Sequence, residues 1–214
     1  MPRVVFISDT HLRHKFDVPE GDILVHAGDL TGHGDIHNNE VARAMKWFGS
    51  LPHQHKIFCA GNHDFLFHRN PDVALPLVPE NVTYLQDSEV TVMGIRIYGS
   101  PWSPWFFDWA FNRERGEDIA EVWSLIPEGI DVLITHGPPM GILDKTPPHN
   151  GRLGQHVGCE ELLARIQVVK PRVHVFGHIH GGHGRVERDG TTFINASICN
   201  EQYQATQPAF VMDL

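Results

Sequence analysis

Eight residues able to bind metals or move protons stand directly after apolar runs: Asp9, His11, Asp29, Asn62, His63, His136, His178 and His180. The first pair follows Val4-Val5-Phe6-Ile7, a β-branched and aromatic run that reads as a buried strand. In an extended segment alternate side chains share a face, so Asp9 and His11 can aim at one ion. An isolated Asp-x-His is as well explained as a polar loop; the recurrence of the arrangement along the chain is what argues for chemistry. Carboxylate, imidazole and amide donors together suit manganese, iron or zinc, whereas a calcium cage would be all oxygen. Seven such ligands, one of them a bridging carboxylate, would hold two ions. Ions ~3.5–4 Å apart can clamp both sides of an in-line displacement at phosphorus.

The elements that must position these groups are legible as apolar runs. Asp22 to Ala27 reads as a strand ending in Gly28-Asp29, and Lys56 to Ala60 as one ending in Gly61-Asn62-His63-Asp64. Asp131 to Thr135 leads into His136, and Arg172 to Phe176 into Gly177-His178-Ile179-His180. In open α/β sheets ligands bind at the carboxyl ends of strands, and Gly28 permits close backbone approach there. Asn38 or Asn39 can cap a helix reaching about Ser50, with Val41, Ala44, Met45 and Phe48 on one face. Further helices are expected over about Gly116–Leu125 and Cys159–Val169. Short strands are expected at Thr83–Leu85, Val90–Met93, Ile95–Tyr98 and Ala209–Met212. Hairpins turn at Met93-Gly94 and Asp189-Gly190. Leu12 to Gly21 and Gly141 to Gly158 read as loops, the second long enough to suggest function. Six aromatics between Trp102 and Phe111 form either a substrate-facing wall or a plug over the core.

At 214 residues the chain is most simply one domain, 1–214, with 41% hydrophobic and 20% charged residues. A formal charge of −9 without a Lys/Arg run argues against binding a nucleic-acid polymer or an acidic membrane. It leaves room for a small phosphate substrate, since divalent cations reverse the local field. Cys59, Cys159 and Cys199 are too widely spaced for a CxxC motif and read as reduced thiols. With no leader-like segment and no apolar stretch of membrane-spanning length, the expected location is cytoplasmic. Of the sixteen histidines, His26 and His174 lie inside strands and read as core groups. His33 and His149 lie in loops near the site, within reach of a substrate.

Asp9-x-His11, Gly28-Asp29, Gly61-Asn62-His63-Asp64, His136 and Gly177-His178-x-His180 resemble, in order, the five-block signature of the calcineurin-like metallophosphoesterases. Gly99-Ser100-Pro101-Trp102, Thr135-His136-Gly137-Pro138-Pro139 and Ile194-Asn195-Ala196-Ser197 extend that resemblance to the MPPED-type, class III phosphodiesterase-like branch. The resemblance implies a four-layer α/β sandwich of two mixed sheets flanked by helices. It implies a first ion held by Asp9, His11, Asp29 and His180, and a second held by Asn62, His136 and His178, with Asp29 bridging. His63 would not be a ligand but would lie near the leaving oxygen as general acid or as a donor to the phosphate, grouped as catalytic with Asp64, which orients the loop or His63. The activity implied is hydrolysis of small phosphodiesters such as cyclic nucleotides by a metal-bridging hydroxide. A phosphomonoesterase, a nucleotide pyrophosphatase and a low-activity nucleotide-binding scaffold are the alternatives. Leu30-Thr31-Gly32-His33 replaces the Asp and Arg that follow Gly-Asp in the protein-phosphatase branch, which disfavours a phosphoserine phosphatase. Some vertebrate relatives lack the first histidine of the last block; His178 is present here, and an active enzyme is expected. A homodimer is left open by the exposed aromatics.

Overall fold

The apolar runs do form strands, and the strand ends converge on one edge of the molecule. The computed structural model describes residues 1–34, 39–148 and 153–214; Asn38 and His149 fall outside them. The first half contains β1 (Arg3–Ile7), β2 (Ile23–Ala27), α1 (Glu40–Ser50), β3 (His55–Cys59), α2 (Phe65–Arg69), α3 (Pro71–Ala74), β4 (Val82–Leu85), β5 (Ser88–Val92) and β6 (Ile95–Ser100). Then come β7 (Ser103–Pro104), β8 (Asn112–Arg113), α4 (Glu117–Ser124), β9 (Val132–Thr135), α5 (Glu160–Val169), β10 (Val173–Phe176), β11 (Gly184–Arg188), β12 (Thr191–Asn195) and β13 (Phe210–Asp213).

One sheet has the order β13-β1-β2-β3-β4, the other β11-β12-β10-β9-β6-β5. β1 to β4 run parallel and β13 antiparallel. The second sheet has a parallel centre with an antiparallel hairpin strand at each edge. Alternation along the strands builds three apolar layers. Val4, Phe6, Val25 and Ile57 face Ile97, Val132, Val175 and Ile194 between the sheets. Val5, Ile7 and Leu24 point outward against Val41, Met45 and Phe48 of α1. On the far side Leu133, Phe176 and Phe193 meet Trp123 of α4 and Leu162 and Ile166 of α5. Each such side chain contributes roughly 1.5–3 kcal/mol by leaving water. The result is the four-layer sandwich of two mixed sheets flanked by helices.

Both hairpins turn where expected, with consecutive left-handed residues at Met93-Gly94 and Asp189-Gly190. The start of α1 differs from expectation. Asn39 is left-handed (φ 51°) and its side chain makes no capping bond. Glu40, the first residue of α1, instead ties the helix to the loop after β2: one carboxylate oxygen accepts the backbone N–H groups of Gly32, His33 and Gly34 at 2.9–3.1 Å. The three cysteines are free and buried, and Cys159 also caps α5, its Sγ accepting from Leu162 N. No helix among the described residues is long and apolar enough to cross a membrane.

Candidate metal centre

β1, β2 and β3 of one sheet and β9 and β10 of the other bring their carboxyl ends to the same edge. A parallel bridge between Ser8 and Ser197 links the two sheets there, and Ile198 N donates to Ser8 O at 2.8 Å. The extended-strand argument for Asp9 and His11 is corrected by the backbone. β1 stops at Ile7, and Asp9 and His11 are left-handed, with φ of 51° and 42°. Asp29 (55°) and His178 (66°) are left-handed as well. Non-glycine residues seldom occupy that region, and those that do cluster at functional sites. The turn folds both side chains of the first motif inward: Asp9 Oδ1 lies 4.0 Å from His11 Nε2.

Two glycines make room for this edge. Gly28 has φ of 100°, and a Cβ there would strike the His136 ring. A Cβ on Gly177 would collide with the Asp9 carboxylate and Ser8 Oγ. The close packing of ligands on backbone therefore explains both glycines.

The side chains gather in overlapping groups. Asp9, His11 and His180 form one and Asp29, His136 and His178 another, with ligand atoms in each within 4.8 Å of one another. Asp29 Oδ2 stands between them, 3.7 Å from His11 Nε2 and 3.3 Å from His136 Nε2. Asn62 Oδ1 joins the second group 2.8 Å from His136 Nε2. His180 Nε2 is 3.3 Å from Asp9 Oδ1 and 3.2 Å from His11 Nε2.

The outer contacts fix which ring nitrogen faces inward. Nδ1 of His11 donates to Thr31 O (3.1 Å), Nδ1 of His180 to Asn200 O (2.9 Å) and Nδ1 of His136 to Ala27 O (3.0 Å). Nε2 of all three therefore faces the centre, where a cation would displace any proton it carries, as in metal sites whose imidazoles are held by a backbone carbonyl. Ser197 Oγ donates to Asp9 Oδ2 (2.9 Å), and His178 N reaches Asp9 Oδ1 (3.0 Å). His63 N donates to Asp29 Oδ1 at 2.8 Å. Burial would raise the Asp29 carboxyl, yet the imidazoles of His136 and His63 hold it well below the usual carboxylate range. Burial works to lower His136, but Asp29 outweighs it and lifts the imidazole to about 9. Burial pushes His11 and His178 down to about 4. Buried, ionised carboxylates ringed by inward-facing imidazole nitrogens fit two cations better than they fit a closed structural zinc site, which favours sulfur and nitrogen.

His63 sits on the wall of a cavity of about 1030 Å³ whose floor includes Asp29, Asn62, His178 and His180. Its Nδ1 donates to Gly32 O, leaving Nε2 3.9 Å from Asp29 Oδ2. Asp64, grouped with His63 on sequence, is fully buried and does not line the cavity. Its carboxylate accepts from Gly61 N (2.8 Å), Thr31 N (3.0 Å) and Thr31 Oγ1 (2.8 Å). It ties the loop after β3 to the loop after β2. The aromatic stretch serves both expected roles: Phe106, Phe107 and Trp109 line the cavity, while Ala110 and Phe111 are buried. Trp109 stands 4.2 Å from His63, ring to ring, and Ala110 N docks on Asn62 O. His33 also reaches the cavity wall. His26 and His174 are core groups, bonded to the hydroxyls of Thr10 and Thr135.

Sequence reasoning misses Tyr203, whose ring lies 4.8 Å from His11 and 5.1 Å from His180. It sits in an irregular turn without apolar periodicity, so no pattern announces it. Asn195 enters the sequence reading only as part of a motif; its Nδ2 donates to Ile179 O at 2.8 Å, bracing the loop that carries His178 and His180.

Residues 2–182 match the family model described as calcineurin-like phosphoesterase. Over an alignment of 237 positions the chain is 48% identical to metallophosphoesterase domain-containing protein 1 of Homo sapiens and of Mus musculus, covering 99% of this chain and 71% of each relative. The fold is similar to the crystal structure of TT1561 of Thermus thermophilus, with a TM-score of 0.56 at 11% identity, covering 91% of this chain and 88% of that one. Metal-type ligands gathered at paired sheet ends and whole-chain identity point the same way: the chain belongs to the calcineurin-like phosphoesterases, hydrolases of phosphoesters, and is a close relative of the metallophosphoesterase domain-containing proteins.

Proposed function

We propose that the protein is a dinuclear metal-dependent phosphodiesterase acting on small diesters, cyclic nucleotides among them. The observation that carries this reading is Asp29 Oδ2, placed between two ligand groups drawn from both sheets. Asp9, His11, Asp29 and His180 would hold one divalent ion, and Asp29, Asn62, His136 and His178 the other. Manganese, iron or zinc suits this donor set. When bound, such ions lower the pKa of water and offset charge on the phosphoryl oxygens.

The chain's own residues do the rest. The carbonyls of Thr31, Ala27 and Asn200 keep three imidazoles in the tautomer that presents Nε2 inward. Gly32 O occupies Nδ1 of His63, so Nε2 is the atom left to hand a proton to the departing alkoxide. Trp109 and Phe106 offer flat faces to a base or sugar on the cavity wall. The test is hydrolysis of bis(p-nitrophenyl) phosphate by chelated protein before and after manganese is added, beside Asp29→Ala and His178→Ala. Metal-dependent turnover lost in both variants is expected. A preference for monoesters, or turnover indifferent to Asp29, would overturn the reading.

A further inference from the structure

Arg69 is the one Lys or Arg among the described residues that line the cavity. Seven other arginines, Arg3, Arg96, Arg113, Arg115, Arg172, Arg185 and Arg188, are paired with carboxylates. Arg69 has no such partner among the described residues. Its guanidinium lies over the ring of Phe65, 4.4 Å from the centroid. That stacking orients the planar group and leaves its edge donors available for an oxyanion. α2, which carries both residues, begins directly after Asp64 and buries Leu66 and Phe67, so the cation stands on an anchored element.

Its position relative to the site follows from a run of ring contacts. His63 lies 4.2 Å from Trp109, Trp109 lies 5.7 Å from Phe65, and Phe65 carries Arg69. Arg69 therefore lines the same cavity as His63, separated from it along the wall by Trp109 and Phe65. Asn70 lines the cavity next to it. Asp29 and Asp108 are the carboxylates lining the same cavity among the described residues, so this guanidinium is the cavity's permanent positive charge.

We infer that Arg69 forms a second anion subsite, which takes a further phosphate carried by the leaving group of the diester. This rests on the phosphodiesterase reading and narrows it. The favoured substrates are diesters whose leaving group carries a second phosphate. A cyclic mononucleotide, with its single phosphate, would leave Arg69 unused.

The test uses manganese-loaded His63→Ala protein, in which turnover is slow, and calorimetric binding of three probes: thymidylyl-thymidine and its 5′- and 3′-phosphorylated forms. One terminal phosphate is expected to tighten binding roughly tenfold, the scale of a charge-assisted pair. Adding Arg69→Ala should bring the ratio close to one, and Arg69→Lys should retain part of it. Equal affinity for all three probes, or a gain that survives Arg69→Ala, would overturn the subsite. Hydrolysis of bis(p-nitrophenyl) phosphate by the wild-type protein separates the two ideas. Turnover without a phosphate gain removes the subsite alone, whereas a gain without turnover retains the subsite and removes the diesterase.

Discussion

His11 and His180 aim their Nε2 atoms at each other across 3.2 Å, although both imidazoles have committed Nδ1 to a backbone carbonyl. Burial opposes a charge on His180, but Asp9 outweighs it and raises that imidazole, so in the empty site a proton on His180 Nε2 can bridge to His11 Nε2, the place a cation would take. An ion that binds these groups in the folded chain alone would stabilise the fold. Chelation should lower the melting temperature by about 5–10 °C, on the scale of a few kcal/mol for a chain of this size. Two equivalents of manganese or zinc per chain should restore it, as a calorimetric titration would read. A melting temperature indifferent to chelator would count against the ligand assignment.

His63→Ala should retain both ions and lose rate in proportion to how poor the leaving group is. With an alkyl diester the loss in kcat should be about 10²–10⁴-fold. With a nitrophenyl diester, whose leaving oxygen needs little protonation, it should be much smaller. The comparison of the two substrates checks this. An equal loss on both would make His63 a phosphate-binding group instead of a proton donor.

Asp64→Ala should act first on stability. It removes the acceptor shared by Gly61 N, Thr31 N and Thr31 Oγ1. The Thr31 hydroxyl keeps His63 O as an acceptor (3.1 Å), and the two buried N–H groups left without a partner cost on the order of 2 kcal/mol or more. Urea unfolding would measure it, and Asp64→Asn, which keeps one acceptor oxygen, should lose less.

Gly177→Ala tests the packing of ligand against backbone. The added methyl falls on the Asp9 carboxylate, so the group formed by Asp9, His11 and His180 should be disturbed before that of His136 and His178. Metal analysis should show the stoichiometry dropping from two toward one while the fold, followed by circular dichroism, persists.

Acid should destabilise the protein through its buried neutral histidines. Burial holds His26 and His174 at about 3, against about 6.5 in an unfolded chain. Between those values the unfolded state binds more protons, so stability is complete above pH 6.5 and falls as the pH drops toward 3. At pH 5 each histidine costs on the order of 2 kcal/mol. Urea midpoints between pH 7 and 5 would show the fall, and His174→Leu should flatten the slope by about one proton.

The layers and the site edge were legible because burial imposes periodicity. Val4 to Ile7, Ile23 to Ala27 and Val132 to Thr135 carry few alternatives to strand, and their chemistry-bearing residues come next in the chain. What periodicity does not encode is backbone handedness. Asp9 and His11 meet through left-handed turns, not through alternation on a strand. Asn39 could be read as a cap by residue type, but its backbone is left-handed and its side chain makes no capping bond, while Glu40 beside it bonds across to the loop after β2. Asp64 groups with the reacting set on sequence because it adjoins His63, yet successive side chains beyond a strand end can point to opposite sides of the loop. Tyr203 reaches His11 only through tertiary folding, from 192 positions away in the chain.

The parallel bridge from Ser8 to Ser197 has a consequence for how the protein assembles. Asp9, His11, Asp29 and Asn62 follow strands of one sheet, whereas His136, His178 and His180 follow strands of the other. On the proposed assignment neither ion would be fully caged until the sheets have docked at that seam. Ion capture is therefore a late event in folding, and a captured ion acts as a rivet that slows the sheets' separation more than it speeds their meeting.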